Sequence, residues 1–243
     1  MSTVARSILG IFLIALLLPA AGQDKSALRP VRVVMASGKL QVTADKPLHF
    51  RLLGVSIAAG KAATFAGASG VVFVSSGKLE IMSGTEKFAL AEGEAKYLAT
   101  GTQATLRASG PRPATVLHYL LAPAGAANEK PYSGATTVNE LFSGKDPVPL
   151  SGGPHEFSLT RVTSPVNAPA PPMHHRSGAA LYRVLSGTAT IHLQGKNEPR
   201  GVGAVQYEPN GFIHTWENIG KVPLVLLQAN ISAEGAPEII WLK

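Results

Sequence analysis

The chain has 243 residues, 22 Lys or Arg against 15 Asp or Glu, a formal charge of +7 and no cysteine. That length suits one large or two small domains. The missing thiols exclude disulfide stapling, thiol catalysis, zinc–thiolate sites and iron–sulfur clusters. The basic residues are scattered rather than focused into a patch or interleaved with stacking aromatics, which argues against a nucleic-acid partner.

The first segment reads as an export signal. Arg6 supplies the positive start, Ile11–Leu18 the apolar core and Ala20-Ala21-Gly22 the small residues, with cleavage expected after Gly22. The apolar run from Ile8 to Leu18 is too short to span a bilayer. Signal cleavage is therefore expected to give a secreted or periplasmic product with no stable membrane span, an uncleaved anchor being the alternative. Arg6 is the one charged residue lost with residues 1–22, so the mature charge is +6 instead of +7.

Short apolar or alternating runs follow, at 31–35, 49–57, 71–76, 78–82, 104–109 and 115–121. Further runs lie at 156–162, 180–186, 188–194, 222–231 and 238–242. β-Branched residues recur within them, and Gly, Pro, Ser and Asn punctuate them, as in an all-β sandwich or barrel. Residues 123–155 are rich in Pro, Gly, Ser and Ala and read as an interdomain connection, with one short helical turn expected over Thr137–Phe142. The expected organisation is a signal (1–22), an N-terminal barrel (28–125), a linker (126–147) and a C-terminal barrel (148–243).

A repeat underlies this division. Shifted by 110 residues without gaps, Gly77 falls on Gly187, Gly93 on Gly203, Gly101 on Gly211, Gly110 on Gly220 and Gly125 on Gly235. Tyr97, Pro113, Val74, Ser76 and Arg51 also fall on their own kind. With 25 Gly in the chain, composition predicts about one glycine match among the ten glycines of residues 51–125. The turns persist because they define the fold.

From Gly203 to Asn218 the chain reads GAVQYEPNGFIHTWEN, that is G-x5-P-x-G-x2-H-x3-N, which delivers His214 from a tight turn onto a strand. This pattern resembles the second motif of the cupin superfamily, whose histidine is a metal ligand. The first motif of that family, G-x5-H-x-H-x3-4-E-x6-G, has its counterpart in APAPPMHHRSGAALYRVLSG, ending at Gly187. The resemblance implies two tandem jelly-roll β-barrels, a bicupin. Counting back from Gly187, the glutamate of the family falls on Ala180, and H-x-H has become Met173-His174-His175-Arg176. In the first repeat the gapless offset places Thr64 and Phe65 at His174 and His175, Ala104 at His214 and Ala108 at Asn218, so that barrel carries no metal ligands.

Alternate side chains of a strand face opposite sides. Either His174 and Arg176 point inward or Met173 and His175 do; the first register fits the motif better. A guanidinium has no lone pair to donate, and it attracts carboxylates or phosphates. Candidate metal ligands are His174, His175 and His214, for one divalent transition metal (Fe, Mn, Ni, Cu or Zn). Candidate ligand-binding residues are Arg176, Tyr182, Gln194 and Glu208. With so few metal ligands, the reading placed first is an exported bicupin that binds a small, anionic molecule in its C-terminal barrel, with weak or optional metal binding. A mononuclear metal-dependent enzyme of dioxygenase or isomerase type is the alternative, and an inert scaffold, for instance a homodimer, the third.

Overall fold

The structure, a computed structural model, describes residues 28–242. The expected signal segment lies outside the described residues. No described helix is long and apolar enough to cross a membrane.

The first half contains β1 (Val31–Val42), β2 (Leu48–Ile57), β3 (Ala62–Ala66), β4 (Ser69–Ser76), β5 (Lys78–Ser83), β6 (Glu86–Ala91), β7 (Ala95–Leu98), β8 (Gln103–Ala108) and β9 (Ala114–Pro123). β10 (Tyr132–Gly134) and β11 (Thr136–Ser143) follow. The second half contains β12 (Gly153–Ser164), β13 (His174–Arg176), β14 (Ala179–Ser186), β15 (Ala189–Leu193), β16 (Lys196–Arg200), β17 (Val205–Glu208), β18 (His214–Asn218), β19 (Leu224–Ala233) and β20 (Ile239–Trp241). Sheets β11-β2-β9-β4-β7 and β10-β3-β8-β5-β6 close one barrel; β1-β12-β19-β14-β17 and β20-β13-β18-β15-β16 close the other. The strand orders superimpose one for one, as two tandem jelly-roll barrels require.

The repeat is carried by backbone geometry. Gly77 and Gly187 share φ of 82° and 80°, Gly93 and Gly203 86° and 85°, Gly101 and Gly211 78° and 77°. β4 and β14 carry the same bulge, between Val74 and Ser76 and between Val184 and Ser186. At Gly187 a Cβ would come within 2.9 Å of Leu224 Cα and of the Pro223 carbonyl oxygen, so both the conformation and the space require glycine.

Two findings depart from the sequence reading. The leading strand of each half is exchanged. β1 pairs along its length with β12 of the second barrel, and β11 pairs with β2 of the first. Residues 126–147, read as a linker, thus carry two strands of the first barrel, and Thr137–Phe142 is extended rather than helical. The register of β3 also differs from the gapless alignment. Phe65 pairs with Ala104, whereas His174 pairs with His214. Since Ala104 and His214 are 110 apart, the counterpart of His174 is Phe65, at an offset of 109, rather than Thr64.

Alternation then sorts the side chains into three cores. Odd-numbered residues such as Val71, Phe73, Leu117 and Tyr119 pack against Phe157, Leu181, Leu227 and Ala229, fusing the barrels back to back. The first barrel is filled by Val55, Ile57, Phe65, Ile81, Leu106 and Leu120. Each such residue stabilises by about 1.5–3 kcal/mol on burial. In the second barrel Tyr182, Ile191, Trp216, Leu224 and Leu226 form a smaller apolar core, and other inward positions are polar: Thr160 on β12, Gln228 and Asn230 on β19, and Glu208 and His214 are all buried. The first barrel is filled almost wholly by apolar side chains, whereas the second combines an apolar core with a buried polar cluster.

Candidate functional site

β13 holds the first of the site residues. It lies between β18 and β20, with His174 opposite His214 on one side and Trp241 on the other. His174 and Arg176 are buried and His175 is only half-buried, its Nδ1 3.0 Å from the Arg176 carbonyl. The His174/Arg176 register is therefore the one adopted, and alternation turns His175 to the other face.

The His174 and His214 rings lie 4.5 Å apart, centroid to centroid. His174 Nδ1 is 3.0 Å from the Pro172 carbonyl and His214 Nδ1 2.8 Å from that of Phe212. A carbonyl only accepts, so each Nδ1 carries the hydrogen and each Nε2 is directed elsewhere. His214 Nε2 lies 2.7 Å from Glu208 Oε1, close but without the alignment of a hydrogen bond. Burial pushes the His174 imidazole down to about 4, with His214 and Arg176 adding to the effect against the opposing Pro172 hydrogen bond.

Glu208 is the hub. It receives the Trp216 indole N–H at 2.8 Å on Oε1 and the Arg176 Nε–H at 3.2 Å on Oε2. Burial alone would raise its pKa; the contacts with His214, Arg176 and Trp216 together outweigh burial and hold the carboxyl below the usual range. Glu208 sits directly across from Ala180 in the β14–β17 ladder. The carboxylate missing at Ala180 is thus supplied from the neighbouring strand. Arg176 also donates to the Tyr182 hydroxyl, which donates to Gln228 Oε1 at 3.0 Å. Gln228 in turn receives Arg32 Nη1–H at 2.9 Å, and Arg32 Nη2 pairs with Glu238 at 3.3 Å. Arg176 Nη1 and Gln228 Nε2 are buried and have no partner among the described residues, as do both amide atoms of Asn230.

A cavity of about 510 Å³ opens here, bounded by Arg29, Pro30 and Arg32 of the N-terminal segment, the proline-rich run 169–172, and Ile239 and Trp241 of β20. His174, Arg176, Tyr182 and Trp216 line it. Gln194 lies exposed in the β15–β16 turn and is not part of the lining. Arg32, Gln228, Trp216 and Trp241 are functional candidates that sequence reasoning missed. Gln228 alone left a signal, as a polar residue inside an apolar strand run.

Among the described residues, no three His, Asp or Glu side chains come together as a metal cluster. His175 points away, the Glu208 carboxylate is engaged by Arg176 and Trp216, and a buried guanidinium stands where a ligand would be needed. The donors present fall short of a complete divalent-cation site, and the guanidinium repels such a cation.

Residues 160–230 match the cupin domain family model. The fold is similar to that of oxalate decarboxylase from Bacillus subtilis at pH 4.6 (TM-score 0.55, 14% identity, covering 85% of this chain and 74% of that one). It is also similar to the Lactobacillus farciminis oxalate decarboxylase in its formate complex (TM-score 0.57, 12% identity, 87% and 88%). AerE from Microcystis aeruginosa is similar to the same degree (TM-score 0.55, 14% identity, 82% and 98%). No curated protein matches the sequence. The second barrel thus carries the match to the cupin domain family, and the two barrels together share the fold of these solved structures.

Proposed function

We propose that this is an exported bicupin that holds a small anionic molecule in the cavity of its second barrel. The observation that carries this reading is Arg176: a 1% exposed guanidinium on the cavity wall, with one nitrogen left without a partner among the described residues. A buried, unsatisfied charged donor costs free energy that an anionic acceptor restores. The first barrel has Phe65 and Ala104 in place of the two histidines, which supports a single site per chain.

Calorimetric titration with carboxylates and phosphate tests the reading. Binding with one site per chain is expected, weakened at least about tenfold in Arg176→Met, as loss of a charge-assisted hydrogen bond implies. Absence of binding, or equal binding by the variant, would sink it. The metal-dependent enzyme reading is favoured by one observation, the pair of Nδ1–H groups parked on carbonyls, an arrangement metal-ligating histidines share. Metal analysis of the purified protein decides between them, since one tightly held metal ion per chain would put the enzyme first. Export is tested by N-terminal sequencing of the secreted or periplasmic product. A start near Gln23 is expected, and a retained Met1 contradicts it.

A further inference from the structure

We propose that the anion is a monocarboxylate carried on an apolar, ring-sized body; this rests on the anion-binding reading above. The cavity has two unlike parts. Its charged lining residues are all arginines: Arg29, Arg32 and Arg176. Arg32 is committed to Gln228 and Glu238, and Arg29 is exposed at the mouth. One buried guanidinium with spare hydrogen-bonding capacity remains, so the site takes a single carboxylate there rather than a dianion spread over several cations.

The rest of the wall is apolar. Trp216, Trp241, Pro171, Leu224, Leu226 and Ile239 line it. Tyr182 is stacked on Trp216 at 5.3 Å, and Trp241 lies 5.0 Å from the His174 ring, so the aromatic groups are gathered around the arginine end. A volume of about 510 Å³ falls in the range that encloses drug-sized molecules. A compact hydrophilic anion would satisfy Arg176 and leave this apolar surface wet. A carboxylate with a phenyl or cyclohexyl body satisfies both ends.

The chain has two tryptophans, and both line the cavity, so its emission reports on this site. The test is titration with 3-phenylpropionate and cyclohexanecarboxylate, their amides, oxalate and phosphate, read by calorimetry and tryptophan emission. The two apolar carboxylates should bind at least about tenfold more tightly than oxalate, phosphate or the amides and should shift the emission. Trp241→Ala removes a half-exposed wall residue. It should weaken 3-phenylpropionate about fivefold or more, a larger factor than for oxalate. Oxalate or phosphate binding as tightly as the apolar acids, or amides binding equally well, overturns this inference while leaving the anion reading intact. No binding by any anion removes both.

Discussion

The Arg176–Glu208 pair gives the sharpest test of the buried network. The side chains are 1% and 0% exposed and meet at 3.2 Å. Removing one member of a buried pair strands the other charge, at about 3–5 kcal/mol. In Arg176→Met, Glu208 keeps the Trp216 indole and His214, which places the loss near the lower end, at about 3 kcal/mol. In Glu208→Gln, Arg176 keeps the Tyr182 hydroxyl but no counter-charge, and a similar or larger loss is expected. The double variant strands neither charge. Its loss should fall short of the sum of the single losses by about 2–3 kcal/mol. Urea unfolding followed by circular dichroism and by tryptophan emission measures the three losses. Coincidence of the two signals is needed, because two barrels sharing an interface core need not unfold in one step. Single losses that add to within about 0.5 kcal/mol would mean that the two groups are independent, and the inward-facing Arg176 would be refuted.

His118 is buried in the first barrel against the Tyr132 hydroxyl, and burial pushes its imidazole down to about 3 from 6.5. The folded value lies below the unfolded one, so the unfolded chain takes the proton first, and stability falls as pH drops from 6.5 towards 3. Between pH 7 and 4.5 the native protein should lose about 2.5 kcal/mol more than His118→Gln, and parallel unfolding profiles would contradict this. Gly211→Ala meets nothing within 4 Å and bears only the strain of φ 77°, about 1–2 kcal/mol, whereas Gly187→Ala adds a 2.9 Å backbone clash. Thermal unfolding should therefore show the larger fall in Tm for Gly187→Ala. Arg176→His replaces the guanidinium with an imidazole beside His174, His214 and Glu208, and Ni²⁺ titration should show an affinity at least about tenfold higher. Ala104→His should bring no Ni²⁺ binding to the first barrel, since Phe65 occupies the opposing position.

The all-β class, the turns and the duplication were legible in the sequence because they depend on local chemistry. Gly77 and Gly187 are demanded by a positive φ, Pro209 and Gly211 by a tight turn, and period-two alternation sends His174 and Arg176 to the same face while turning His175 away. Those rules operate within a few residues, so reading them needs no knowledge of the rest of the chain. Tertiary structure decided which strand lies beside which. Backbone hydrogen bonding in an antiparallel ladder is nearly blind to side chains, so nothing local said that β1 and β11 exchange barrels, or that Phe65 rather than Thr64 stands opposite Ala104. For the same reason Ala180 looked like the loss of a carboxylate until pairing set Glu208 across from it. Arg32 and Trp241, more than two hundred residues apart, became walls of one cavity only because strands from both ends of the chain join the second barrel.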